Sequence, residues 1–393
     1  MSAVKVIFCI SLVIIFYSYF GYGILVFFLV GCKKLFFKRK LLSEDSFQPL
    51  VALIIPAYNE EDFISAKIKN TLELDYPRQK LSVIFVTDGS TDGTPGIIRK
   101  FPFFTLLHMP ERKGKLAAMN RAMEIVTEPV VVFCDANNLL NKECIKEIAK
   151  HYADPSVGGV AGEKKIYVQD NNTLSSSEGL YWQYESLLKK LDSELYSVVG
   201  AAGELLSIRT SLYEAIPENT IIEDFVLSLH VCLKGYIIRY EPNAYATETS
   251  SLSVKDEQER KVRISAGAFQ AMAMLKPLFN VFRYPMLSFQ FISHRVLRWT
   301  LSPVCLILVF LSNSLLVIYS ESIWFRLLFF LQITFYVLAI AGWNLAAGRT
   351  KNRLLQIPYY FVFMNLAVFM GLFRIITKKQ SVVWQKVNRQ KMA

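Results

Sequence analysis

Carboxylates recur where short apolar runs end. Val51 to Tyr58 leads into Asn59, Glu60 and Glu61, Leu81 to Thr87 leads into Asp88-Gly89-Ser90-Thr91-Asp92-Gly93-Thr94, and Val130 to Cys134 leads into Asp135-Ala136-Asn137. Asp88 suits the N–H of a base or a ribose hydroxyl, and Gly89 and Gly93 let the backbone come close. Asp135 and Asn137 offer the hard oxygen ligands that Mg2+ or Mn2+ takes when it neutralises a diphosphate. Arg112, Lys113 and Lys115 bring positive charge to a helix N-terminus, where phosphate binds. Singly, each cluster reads equally as a turn or a helix cap. Jointly, they describe a site for a metal-bound nucleoside diphosphate.

The elements that must hold these residues alternate in type. Strand runs at Val51 to Tyr58, Leu81 to Thr87, Phe104 to His108 and Val130 to Cys134 are separated by helical spacing at Glu60 to Leu74, around Ile97, and at Lys115 to Val126. That alternation predicts an α/β fold, Rossmann-like, with a mainly parallel sheet covered by helices. Ligands of such sheets bind outside the carboxyl ends of the strands, which is where the polar clusters fall. The second half of the block, 158 to 265, is more mixed.

Charge placement excludes a nucleic-acid partner. The 393 residues carry a formal charge of +11 and are 53% hydrophobic. Residues 51 to 282 hold 25 Lys/Arg against 30 Asp/Glu, so the flanks alone are strongly basic. The flanking bases cluster beside four uncharged stretches, Val6 to Gly31, Leu301 to Ser320, Leu327 to Gly348 and Leu354 to Phe373. Each is long enough to cross a bilayer, and juxtamembrane bases set orientation and attract anionic lipid. The expected organisation is an anchor and basic flank (1–47), a catalytic domain (48–265), an amphipathic interfacial region (266–300), membrane helices (301–376) and a basic tail (377–393). Bases after the first span place the domain in the cytoplasm of a multi-pass cell-membrane protein. Three further spans then put the C-terminus outside, against the six bases of Arg374 to Lys391. Leu354 to Phe373, with Pro358 and Asn365, is the candidate for a re-entrant or interfacial segment. The six cysteines show no CxxC spacing, which argues against a zinc site or disulfide framework.

In order, PAYNEE, VTDGSTDGT, RKGKLAAMNRA, FCDANN and IIEDFVLSLHVCLKGY resemble family 2 glycosyltransferases of the GT-A fold. With flanking membrane helices, the chain resembles the group of cellulose, hyaluronan and poly-N-acetylglucosamine synthases. The resemblance implies a UDP-sugar donor, Mg2+ or Mn2+, membrane lipids around the helices, and a polysaccharide or lipid-linked acceptor. It assigns Asn59 and Glu61 to the nucleoside pocket, Asp88 to uracil, Lys115 to the diphosphate, and Asp135 with Asn137 to the metal. Glu223-Asp224 stands where the family carries its catalytic base, Asp224 taking the acceptor proton in an inverting transfer. The same pair also reads as the acidic start of a helix.

Arg260-Lys261-Val262-Arg263-Ile264 matches the arginines of the family's Gln/Arg-x-x-Arg-Trp motif, with Ile264 in place of the Trp. Arg260 and Arg263 would grip the diphosphate. Gly200-Ala201-Ala202-Gly203-Glu204 falls where the family contacts acceptor, and Tyr181 and Trp182 are rings suited to stack on sugar. The same loop reads as a tight turn, and the rings as core. Three functions stay open: a processive synthase coupled to export, a transferase adding one sugar to a polyprenyl phosphate or glycolipid, and a nucleotide-sugar-binding scaffold. Nothing in the sequence names an export or accessory partner.

Overall fold

The computed structural model describes residues 1–36, 46–167, 173–249, 254–346 and 353–380. Lys38, Arg39, Lys40, Arg349, Lys351, Lys386, Arg389 and Lys391, which belong to the basic flanks, lie outside the described residues. The N-terminal helix comprises α1 (Ser2–Phe16) and α2 (Tyr22–Phe36), joined through a π-helical turn at Tyr17–Gly21. The domain follows as β1 (Val51–Ala57), α3 (Glu61–Leu72), β2 (Leu81–Asp88), α4 (Thr94–Ile98), β3 (Thr105–Met109), α5 (Lys115–Met123), β4 (Val130–Cys134), β5 (Leu139–Leu140) and α6 (Cys144–Ala149). Its second half is β6 (Val157–Tyr167), α7 (Thr173–Leu195), β7 (Leu205–Arg209), α8 (Glu223–Leu233), β8 (Ile237–Thr249) and α9 (Val254–Met274). Then come α10 (Pro285–Phe291), a second π turn at Ile292–Val296, α11 (Leu297–Trp299), α12 (Leu301–Tyr319), α13 (Ile323–Ala346) and α14 (Arg353–Ile376).

The eight strands form one sheet in the order β3-β2-β1-β4-β7-β6-β8-β5. β1 pairs in parallel with β2 and β4, and β2 with β3. The mixed half has a physical signature: β7 runs antiparallel to both β4 and β6, and β5 antiparallel to β8. β1 is buried on both faces, as parallel strands are. Ile54 joins the core under α5 and α8, while Leu53 and Ile55 join the core under α3 and α6. Burying each such side chain contributes about 1.5–3 kcal/mol. Register puts Ala57 beside Thr87 and Ile54 beside Phe133, so the polar segments after β1, β2 and β4 emerge along one edge.

Among the described residues, four helices are long and apolar enough to cross a membrane: Ser2–Phe36, Leu301–Tyr319, Ile323–Asn344 and Leu354–Ile376. The last is an unbroken α-helix despite Pro358. It packs along α9, burying Tyr359, Phe363 and Ala367 with Val262, and Arg374 pairs with Glu259 at 2.7 Å.

The segment 285–299 departs from a simple interfacial helix. Its polar residues turn inward: His294 is fully buried, its Nδ1 2.6 Å from Asp192 of α7, and Arg295 lies 2.5 Å from Glu185. The expected boundary at 265 also falls inside α9.

The α9–α14 contact depends on a missing side chain. A Cβ at Gly371 would sit 2.6 Å from the Ala266 backbone nitrogen and 2.7 Å from Ser265 Cβ. Gly371→Leu should therefore force the helices apart and cost on the order of 1–3 kcal/mol. A lowered melting temperature of the detergent-solubilised chain checks this.

Candidate functional site

The loops after β1 and β2 are tied to each other first. Asn59 adopts a left-handed backbone (φ 51°), accepts a 2.8 Å hydrogen bond from the Thr91 N–H, and donates its own N–H to Ser90 at 3.2 Å. Glu61 accepts from the Gly93 N–H at 3.0 Å. Asp88, almost wholly buried, accepts from the Lys113 and Gly114 N–H groups at 2.9 and 2.6 Å. That carboxylate therefore moors the basic loop leading into α5. Gly89 is required here: its φ is +69°, and a Cβ would lie 2.5 Å from Arg112 Cβ. The Arg112 guanidinium in turn lies 3.6 Å from the centre of the Tyr58 ring.

At the start of α5, Lys115 gathers oxygen acceptors from three separate segments. Its Nζ lies 2.7 Å from Asp135 and 3.0 Å from Glu223, and it donates to the Gly203 carbonyl at 3.5 Å. Burial works against the ammonium, but Asp135, Glu223 and Asp224 outweigh it and hold its pKa well above that of an ordinary lysine. Lys115 has the reciprocal effect on Glu223, whose pKa it lowers against the pull of burial. Asp224 behaves oppositely. Burial, reinforced by the neighbouring Glu223 charge, pushes its carboxyl up to about 7. Two adjacent carboxyls at one helix N-terminus are thus driven to different protonation states.

These groups face a cavity of about 1230 Å3 between the domain and the membrane helices. Of the sequence candidates, Lys115, Asp135, Tyr181, Trp182, Gly200, Gly203, Glu223, Asp224, Arg260 and Arg263 line it. Asn59, Glu61, Asp88 and Asn137 do not appear in that lining. Asn137 is buried, and its Oδ1 has no hydrogen-bond partner. Gly203 keeps the floor open, because a Cβ there would lie 3.2 Å from both Asp224 Oδ2 and Lys115 Nζ. Gly200 has φ +92°, and a Cβ would run into the Phe225 ring at 2.1 Å. Arg260 makes a forked pair with Glu257 at 3.0 and 3.1 Å, while Arg263 donates to the Ile221 carbonyl at 3.0 Å. Ile264 also lines the cavity, so no ring from α9 enters at that position. Tyr19 and Phe20 of the N-terminal helix and Ile357, Tyr360, Phe361 and Met364 of α14 form the membrane-side wall.

Sequence reasoning missed the support behind Asp135. Lys67 of α3 is completely buried and donates to Cys134 Sγ at 2.9 Å and to the Asn138 backbone and side-chain oxygens, each at 3.0 Å. Asn138 passes the contact on by donating to the Glu204 carbonyl at 3.0 Å. One lysine thus fixes both ends of the Asp135 loop and links it to the 200–204 loop. The available signal was a charge on the apolar stripe of Ile64, Ile68 and Thr71. Sequence reasoning likewise gave no role to Glu185 and Asp192 and placed His294, Arg295 and Arg298 in the amphipathic interfacial region, whereas the structure joins all five in one ionic cluster.

A mixed, Rossmann-like sheet with acidic loops on one edge and a cavity walled by membrane helices is the architecture of a membrane-attached GT-A enzyme. Residues 52–216 match the family model described as Glycosyl transferase family 2. It is 24% identical over 233 residues to the poly-beta-1,6-N-acetyl-D-glucosamine synthase of Staphylococcus aureus (strain MSSA476), a match spanning 56% of this chain and 55% of that one. The chain thus spans about half the length of these curated relatives. It is also 22% identical over 371 residues to the probable glycosyltransferase YdaM of Bacillus subtilis (strain 168), covering 87% of each. Among solved structures, a Pyrobaculum calidifontis mannosyltransferase in complex with GDP-Man and Mn2+ aligns with a TM-score of 0.69, 22% identity, and 95% and 100% coverage of the two chains. That likeness shows the fold.

Replacing Lys67 by Met leaves the Cys134 and Asn138 acceptors without their donor in a dry site. The cost should be about 3–5 kcal/mol. Chemical-denaturant unfolding of the solubilised chain measures it, with Lys67→Arg expected to lose less.

Proposed function

We propose that the chain moves a sugar from a UDP-sugar to an acceptor hydroxyl with inversion, at the cytoplasmic mouth of the cavity. The observation that carries this is the split pair: Asp224 is held at about 7 while Glu223 is held ionised against Lys115. A general base works best with a pKa near the operating pH. Asp224 takes the acceptor proton as the acceptor oxygen bonds to the anomeric carbon and the bond from that carbon to the diphosphate breaks. Lys115 and Arg263 lie in the same cavity and meet the departing negative charge. Asp88, Asn59 and Glu61 are assigned to the nucleoside through the loops they brace.

The donor set suits a divalent ion held partly by the substrate. Among the described residues, no three His, Cys, Asp or Glu side chains are grouped for a metal. Asp135 supplies one carboxylate, and the unpartnered Asn137 Oδ1 lies two residues on. Mg2+ characteristically binds one or two carboxylates plus substrate phosphates, so Mg2+ or Mn2+ fits with the diphosphate completing its shell. Such an ion supplies charge neutralisation of the leaving diphosphate.

A growing polysaccharide is the acceptor favoured by the likeness to the staphylococcal synthase. The cavity's contact with the membrane helices gives its product a route into or across the bilayer. A second reading, transfer of one sugar to a lipid-linked acceptor, is favoured by Ile264 in place of a ring and by the apolar membrane-side wall. Product length separates the two.

The test is nucleotide release by the purified chain across UDP-sugars, with GDP-mannose included because the fold relative was solved with it. Asp224→Asn should lower release by roughly 10²–10⁴-fold. An unchanged rate in both Asp224→Asn and Asp135→Ala would instead support a binding scaffold. The base must be ionised to act, and its raised pKa keeps the proton on until the pH approaches about 7. Activity should therefore fall about tenfold per unit as pH drops below about 7 and level off above it.

A further inference from the structure

Lys189 of α7 is a largely buried cation whose acidic neighbours Glu185, Glu163 and Glu204 act on it without an ion pair at contact distance among the described residues. It is 3% exposed and lines the cavity, and among the described residues it makes no hydrogen bond or ion pair. Its neighbours are balanced. Lys164 pairs with Glu204 and, at 2.5 Å, with Glu248; Lys261 lies 3.3 Å from Glu257. Arg295 and Arg298 share Glu185 at 2.5 and 3.5 Å. Lys164, Lys189 and Lys261 all flank the Trp182 indole, at 5.1, 5.2 and 5.9 Å. Burial pulls the Lys189 pKa below that of an ordinary lysine, more strongly than Glu185 raises it. An ammonium buried without a partner costs several kcal/mol, so such a site is most stable when an anion enters.

The surroundings select the kind of anion. From Lys189 the wall continues to Trp182 and Tyr181, then to Phe20, Ile357 and Met364 on helices apolar enough to sit in lipid. At the other end of the same cavity stand Asp224 and Lys115. The sequence of surfaces is carboxylate, ammonium with indole, then apolar wall. A lipid-linked sugar presents the matching order: a hydroxyl to be glycosylated, a phosphate linkage, and a hydrocarbon tail.

We propose that Lys189, beside Trp182, receives the phosphate linkage of a membrane-resident phosphoglycolipid acceptor whose tail lies against Phe20, Ile357 and Met364. This deepens the lipid-acceptor reading given above and rests on it. A phosphate forms charge-assisted hydrogen bonds with an ammonium, and the indole gives the attached sugar a stacking face.

The test is calorimetric titration of the full chain in neutral detergent with farnesyl phosphate, farnesol and inorganic phosphate as probes. Farnesyl phosphate should bind at least roughly tenfold more tightly than either of the others, since each lacks one of the two matching parts. Lys189→Met should reduce farnesyl phosphate to the level of farnesol, and Lys189→Arg should restore most of the difference. Equal binding of farnesol overturns the proposal, as does equal binding of inorganic phosphate, which would assign the ammonium to a soluble anion. So does Lys189→Met binding farnesyl phosphate like the parent chain at an unchanged melting temperature. The comparison among probes needs no variant, so it stands even where Lys189→Met fails to fold. Nucleotide release is followed on the same preparation. Release without Lys189-dependent binding overturns this proposal alone, whereas Lys189-dependent binding without release from any nucleotide sugar overturns the transferase reading.

Discussion

One ammonium holds the site together. Lys115 stands among the carboxylates of Asp135, Glu223 and Asp224, which arrive from β4 and from the start of α8. Without it, three acids would converge in a partly buried pocket and repel one another. With it, Asp135 and Glu223 stay paired while Asp224, next in line and farther from compensation, keeps its proton near neutrality. Lys115 occupies that place because Asp88 captures the two N–H groups just before it, and Asp88 is fixed by the register of β2 against β1. The protonation state of Asp224 is thus traceable to strand pairing.

The parallel half of the fold was legible because its strands are short apolar runs ending in polar residues, and its helices repeat Ile or Ala at helical spacing. The strand directions of the mixed half were not. β7 is a five-residue run, and nothing local distinguishes it from a parallel strand; its direction is set by pairing with β4 and β6. Among the polar residues around the cavity and its supports, those in motifs were named from the sequence and those in helix interiors were not. Lys67, Lys189 and His294 each lie on a helix or π turn where a polar residue ordinarily faces water. Only the packing of a second element over that face makes them buried, and spacing carries no record of which element that will be.

The overall basic charge divides by location. Excess Lys and Arg outside residues 51–282 cluster beside apolar stretches, whereas several bases around the cavity pair with specific carboxylates. Lys164 serves Glu204 and Glu248, Arg260 serves Glu257, and Arg295 serves Glu185. The pairs of Glu204, Glu248 and Glu185 cross between elements, so ion pairs fasten β6 to the 200–204 loop and β8, and α7 to the segment after α10. Buried pairs of this kind contribute little net stability but fix geometry, because breaking one leaves an uncompensated charge.

The N-terminal helix has a role that the word anchor understates. Tyr17 and Ser293 join the two π turns through a 2.9 Å hydrogen bond, Tyr22 bonds Asp192, and Lys33 reaches the carbonyls at the end of α7. Tyr19 and Phe20 of that helix line the cavity. Among the described residues, the first helix is therefore tied by hydrogen bonds to α7 and to the segment after α10. Trimming the first helix would open one side of the cavity and strip the buried Asp192 of its phenol. The first helix is thus a wall of the cavity as well as a membrane-length segment.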